Sequence, residues 1–122
     1  MLEIKPKKIL VIGDSFLDEY VYGIVNRISQ EAPVPIVEVE VEKAKYSLGG
    51  AANTAANIIS LGGIACLITS FNPEDKAGEV FTAKCREIAL PHHFIGPQKM
   101  TTRKLRIIAQ GQQMMRIDYE DK

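Results

Sequence analysis

Gly13-Asp14-Ser15-Phe16-Leu17-Asp18 sets two carboxylates directly after the apolar run Ile9-Leu10-Val11-Ile12. A carboxylate past a strand's end accepts hydrogen bonds from a polyol or ligates a cation; for Asp14 and Ser15 a turn cap is an equal reading. Farther on, Gly49-Gly50-Ala51-Ala52-Asn53 places two glycines before a run of small residues. Glycines there let the backbone pass close to a ligand, beside the N–H groups of a helix start. Asn53 and Asn57 fall one turn apart on one helix face, and an amide both donates and accepts, as a sugar hydroxyl requires. On spacing alone the same segment is equally a glycine turn with asparagines bonded to nearby backbone. The third group is basic. Between Glu87 and Asp118 there is no acidic residue, while Lys99, Arg103, Lys104, Arg106 and Arg116 are cationic. In a strand, Lys104 and Arg106 share a face, suited either to a phosphate or to the charge protection of a solvated sheet edge. Arg103 is read as structural.

These residues need elements to position them. Lys8 to Ile12, stopped by Gly13-Asp14, has the pattern of a buried parallel strand whose carboxyl end meets a loop, where ligands of open α/β sheets collect. The stretch from there to Gly23 shows no clear periodicity. Ile36 to Glu42 alternates apolar and charged residues and is expected as a half-exposed strand, with Pro33 and Pro35 at its start. Gly50 to Leu61 reads as a tightly packed helix ending at Gly62-Gly63, Ile64 to Ser70 as a second buried strand, and Asp75 to Ala89 as an amphipathic helix. Asn72-Pro73-Glu74-Asp75 is a helix-start turn. The order strand, helix, strand, helix predicts a parallel sheet. Leu105 to Ala109 and Met114 to Tyr119 read as a hairpin around Gln110-Gly111-Gln112.

With 122 residues, 46% of them hydrophobic, the chain has the makings of one packed domain. Fifteen basic residues balance fifteen acidic ones, so its overall charge attracts neither nucleic acid nor membrane. Cys66 and Cys85 lack the spacing of a zinc or redox pair and are expected as plain thiols. His92 and His93, adjacent in a strand, point to opposite sides and do not chelate one metal. The run Ile9 to Ile12 is too short for a signal peptide or a membrane span, and a cytoplasmic location is expected.

Gly49-Gly50-Ala51-Ala52-Asn53-Thr54-Ala55 followed by Gly62 resembles the first signature of the PfkB carbohydrate kinases, and Gly13 to Asp18 resembles that family's opening strand and loop. Arg27-Ile28-Ser29-Gln30-Glu31-Ala32-Pro33-Val34-Pro35 and Gln112-Gln113-Met114-Met115-Arg116-Ile117-Asp118 are similar to the heptose 7-phosphate kinases of ADP-heptose and lipopolysaccharide synthesis. The resemblance runs from Lys8 to Asp118 and departs at Asn72, where the family usually has glycine. It implies an α/β, ribokinase-like fold: a partial parallel sheet with helices plus a small β lid. It also implies that Asp18, Gly49, Gly50 and Asn53 contact sugar hydroxyls, and that the Thr101-to-Arg106 stretch faces substrate, which favours Lys104 and Arg106 as phosphate ligands. The strand from Ile36 to Glu42 would belong to the lid, which in this family closes over the sugar and often pairs with a second subunit.

Phosphoryl transfer further needs a nucleotide site and, usually, a base for the attacking hydroxyl. In the family these come from a later Gly-Ala-Gly-Asp-type motif; here none of the last glycines, Gly78, Gly96 and Gly111, precedes an aspartate, and there is no P-loop. Residues 1–122 are therefore expected to be the N-terminal portion of such a kinase domain, cut before its ATP-binding and catalytic half, with no catalytic residue or metal site of its own. ATP and Mg2+ would serve the complete enzyme and are not expected on this chain alone. The expected partners are a small sugar phosphate and either a second copy through the lid strands or a complementing C-terminal half. A non-catalytic dimerisation module, or a gene remnant, is the alternative. A dinucleotide-dependent oxidoreductase would need Gly-x-Gly-x-x-Gly at Gly13, which is absent.

Overall fold

The computed structural model describes residues 5–96 and 98–122. In chain order the elements are β1 (Lys8–Ile12), β2 (Ser15–Ile28), β3 (Pro35–Val39), a 3-10 turn (Val41–Lys43), β4 (Lys45–Gly50), α1 (Ala51–Ser60), β5 (Ile64–Thr69), α2 (Lys76–Glu87), β6 (His92–Phe94), β7 (Arg103–Ala109) and β8 (Gln112–Tyr119). The expected parallel sheet is present, in the order β1-β5-β6, with Leu10 opposite Cys66 and Leu67 opposite His92. Its core is built from Ala52 and Ala55 of α1, Ala65 and Leu67 of β5, Phe81 and Cys85 of α2, and Phe71 and Leu90. Alanines on the buried side of α1 let that helix lie close to the sheet, and the Phe71 and Phe81 rings meet at 4.8 Å. The sheet's other face is open: Leu10 is 56% exposed, Ile12 66% and Ile64 49%.

The second sheet runs β3-β2-β7-β8, with β4 also on β2. Strand β2 is its spine. It holds β4 along Ser15 to Tyr20 and β3 along Gly23 to Ile28 on one edge, and β7 in parallel along the other. Sequence reasoning found no order between Ser15 and Gly23, yet a strand of 14 residues begins there. The reason is that Asp18 and Glu19, both largely buried, interrupt the apolar alternation by which a strand is recognised. Conversely, the strand expected from Ile36 to Glu42 ends at Val39. From Tyr20 back towards Ser15 the same edge of β2 belongs to β4, so the chain turns out of the sheet through Val41–Lys43, with Glu40 N donating to Tyr22 O. The hairpin is tighter than expected: only Gln110 and Gly111, at φ 52° and 75°, join β7 to β8, the left-handed pair that suits a two-residue connection.

The turn before α2 is fixed by side chains. Asp75 accepts from Gly78 N at 2.6 Å, capping the helix, and from Thr101 N at 2.6 Å. The fully buried Thr101 also accepts from Asn72 N, and the Asn72 amide donates to Lys99 O. Thr101, expected in a substrate-facing stretch, instead ties the approach to β7 onto α2. Asn72, the departure from the family pattern, anchors that tie, and the strand that carries Lys104 and Arg106 starts two residues beyond it. A Cβ on Gly78 would lie 1.8 Å from Asn72 O, so the arrangement needs glycine there.

Burial pushes the Cys85 thiol up to about 11. Its folded value lies above the unfolded one, so this contribution to stability is intact below about pH 9 and is lost as pH rises towards 11. Cys85 is therefore expected to resist a thiol reagent at pH 8 in the folded chain, while the half-buried Cys66 reacts first. Mass spectrometry of the alkylated protein checks the order, and prompt Cys85 labelling in the folded state would contradict it.

Candidate sugar site on strand β2

Successive residues of a strand alternate between faces. The register pairs Phe16 with Gly49, Asp18 with Ser47 and with Lys104, and Tyr20 with Arg106, so these side chains share one face. Leu17, Glu19, Arg103 and Leu105 occupy the other. Of the residues singled out from sequence, Asp18, Gly49, Lys104 and Arg106 are thus brought together, Lys104 and Arg106 through a pairing that spans more than half the chain.

The glycine pair is not a free turn. Gly49 lies in β4, and a Cβ on it would come within 2.1 Å of the Phe16 ring and 2.8 Å of Asp18 Oδ2. Gly50, at φ 63°, precedes α1, and a Cβ on it would lie 2.4 Å from Asp14 O. Both positions are therefore closed to other residues by what they pack on. The start of α1 is partly spoken for, since Ala51 N donates to Asp14 O at 2.9 Å and Ala52 N to Ser15 Oγ at 3.0 Å. Ser15 thus satisfies the start of α1, 37 residues on, rather than capping its own turn, whereas Asp14 contributes its carbonyl and keeps an exposed carboxylate. Asn53 and Asn57 are both exposed on α1.

The basic group is compensated from a distant part of the chain. Sequence reasoning held that no acid accompanies these cations, because none lies between Glu87 and Asp118. Strand β2, far away in sequence, supplies two. Arg106 Nη1 donates to Asp18 Oδ1, and Arg103 grips Glu19 on the opposite face through Nε at 2.7 Å and Nη2 at 3.0 Å. The hydrogen bond to Glu19 holds the Arg103 guanidinium above its already high range, against the opposing effect of burial, and its Cζ lies 4.5 Å from the centroid of the Tyr119 ring. Arg116 pairs with Asp118. Lys104 has no acidic partner within salt-bridge distance among the described residues; its ammonium sits 4.3 Å from the Phe16 ring. It lines a polar cleft of about 350 Å3 with Asp14, Ser15, Phe16, Thr102 and Asp121. Neither Asp18 nor Asn53 lines that cleft. Sequence reasoning missed Glu19 and Phe16; the signal available for Glu19 was its place next to Asp18 in a strand, which sends the two carboxylates to opposite faces.

A parallel sheet packed by helices, with a second sheet and a glycine pair where β4 meets α1, is the fold that the chain shares with solved ribokinase-like carbohydrate kinases. The chain superimposes on phosphofructokinase-2 from Escherichia coli with a TM-score of 0.69 at 18% identity, covering 97% of this chain and 36% of that one. It superimposes on a carbohydrate kinase from Agrobacterium tumefaciens with a TM-score of 0.68 at 18% identity, covering 94% and 36%. In sequence it is similar to the bifunctional proteins HldE: 44% identical over 115 residues in Vibrio cholerae, 45% over 121 residues in Vibrio parahaemolyticus and 42% over 117 residues in Caulobacter vibrioides. These alignments cover 93–95% of this chain, which spans about a quarter of the length of each relative (24%). No family model matches the chain.

Gly49→Ala is expected to displace Phe16 and Asp18 together and to cost about 1–3 kcal/mol of stability, the usual penalty for overpacking. Urea unfolding measures it; a variant as stable as the unaltered chain would show that the contact between Gly49 and Phe16 is looser than the geometry indicates.

Proposed function

We propose that this chain is the sugar-binding part of an ATP-dependent carbohydrate kinase that phosphorylates heptose 7-phosphate at the anomeric hydroxyl. One observation carries the reading: Gly49 brings the backbone against Asp18 where β2 and β4 pair, and Gly50 leads directly into α1, the helix that carries the exposed Asn53. The similarity to the HldE proteins supports heptose as the sugar. In this reading Asp18 and Asn53 receive ring hydroxyls, Gly49 and Gly50 let the ring approach the backbone, and Lys104 with Arg106 meets the phosphate already on the substrate. Among the described residues Lys104 forms no ion pair, although Asp14, Glu120 and Asp121 line the same cleft.

In a complete kinase ATP and Mg2+ supply the transferred phosphoryl group and neutralise its charge. Among the described residues no cluster of three or more His, Cys, Asp or Glu suits a metal ion. In this reading the nucleotide and metal belong to the part of the ribokinase-like fold that the chain does not cover. The open face of the β1-β5-β6 sheet supports the same division, because parallel sheets are normally covered on both sides. Val21, Val25, Val37, Ile107 and Met115 share the face of the second sheet opposite Asp18, an apolar surface suited to a second copy of the lid. Among the described residues no helix is long and apolar enough to cross a membrane.

Alone, the chain is expected to release no ADP in the presence of ATP and heptose 7-phosphate. Mixed with a polypeptide carrying the remaining part of a matching kinase, it is expected to show turnover that requires both substrates. Asn53→Ala should weaken sugar binding by about 1–3 kcal/mol, the cost of leaving one hydroxyl unpartnered. Sugar-dependent turnover by the purified chain alone, abolished by an Asp18 substitution, would overturn the assignment of catalysis to the remaining part; unchanged calorimetric affinity for Asn53→Ala would remove Asn53 from the site.

A further inference from the structure

Two arginines of β7 meet two adjacent carboxylates of β2, and the two contacts are built differently. Arg103 holds Glu19 through two nitrogens, at 2.7 Å and 3.0 Å, with the Tyr119 ring 4.5 Å away. Such a two-point, stacked contact has little freedom to rearrange. Arg106 touches Asp18 through Nη1 alone, and its guanidinium lies 5.5 Å from the Tyr20 ring. No other carboxylate among the described residues engages it. Both side chains of this pair reach solvent, at 20% for Arg106 and 13% for Asp18. Lys104, on the same face and opposite Asp18 in the register, forms no ion pair among the described residues.

Resting on the reading that Asp18 receives a sugar hydroxyl, we infer that Arg106 couples recognition of the hydroxyl to recognition of the phosphate: it occupies Asp18 when no phosphate is near and turns to the phosphate when one is bound. A phosphate dianion carries more charge than a carboxylate and accepts a guanidinium at two points, so the exchange is favourable where only one bond to Asp18 has to break. A neutral sugar hydroxyl that donates to Asp18 Oδ1 displaces Arg106 from that oxygen and leaves the cation without a partner on a partly buried face. A phosphorylated sugar gives that cation a new partner. The discrimination therefore arises from the ion pair itself rather than from an additional contact. Glu19 and Arg103 cannot do the same, since exchange there would break two hydrogen bonds and a stacked ring. Coupling of this kind is reciprocal: an anion at Arg106 must tighten the binding of a neutral sugar by the factor with which the sugar tightens the anion.

The test is calorimetric titration of the 122-residue chain with unphosphorylated heptose, in the presence and absence of saturating inorganic phosphate, at ionic strength matched with chloride so that screening is constant. Phosphate is expected to tighten heptose binding about tenfold, the size of one charge-assisted hydrogen bond gained by exchange. In Arg106→Gln the effect of phosphate should vanish, and heptose should bind without phosphate about as tightly as it binds the unaltered chain with it. If heptose binds and phosphate leaves its affinity unchanged or weakens it, the coupling is wrong while the sugar site stands. If neither heptose nor heptose 7-phosphate binds, the sugar site and the coupling fall together. Circular dichroism establishes whether Arg106→Gln folds; should it not, the titrations of the unaltered chain decide the matter.

Discussion

Asp18 and Glu19 are neighbours on one strand, and both are drawn largely out of water. Adjacent strand residues point to opposite faces, so no single cation can serve both, and an unpaired carboxylate in either place would be costly. The structure meets this demand by laying β7 alongside β2 in parallel, so that Arg106 reaches Asp18 on one face and Arg103 reaches Glu19 on the other. Slipping β7 by one residue would send each arginine to the wrong face. The second sheet, the position of Lys104 and the shape of the face bearing Asp18 all depend on that register.

How far this was legible in the sequence follows from the same chemistry. The parallel strands and both helices announce themselves through apolar runs and periodicity, because their partners are the nearby core residues Leu67, Phe81 and Cys85. Strand β2 does not, since its alternation is masked by two carboxylates whose compensating charges lie more than eighty residues away. The basic group on β7 looked uncompensated for the same reason. The glycine pair was found as a motif, but its physical cause, the Phe16 ring and Asp14 carbonyl packed against it, is a tertiary fact. Strand β4 likewise ends in two glycines, a poor strand signal that only its pairing with β2 overrides.

The two faces of the second sheet differ in character. One carries Asp18, Lys104, Arg106 and the aromatic rings of Phe16 and Tyr20, a mixture of charge and π surface suited to a polyol bearing an anion. The other carries Leu17 and Glu19 near the junction with the helices and valines farther out. Near the junction the Glu19–Arg103 contact locks the register, and beyond it the face is apolar. The strand thus joins a fixed end, anchored through Ser15 to α1 and through Thr101 to α2, to a distal end held only by other strands.

The central claim is that the face of β2 bearing Asp18, together with the Gly49-Gly50 junction, is where the sugar binds. Its most direct test is a titration of the isotopically labelled chain with heptose 7-phosphate followed by amide NMR. The account places the largest shifts at Asp18, Gly49, Gly50, Asn53 and Lys104, with Leu10, Cys66 and Ile68 on the open face of the parallel sheet unmoved. Shifts confined to that open face, or scattered without reference to β2, would contradict it.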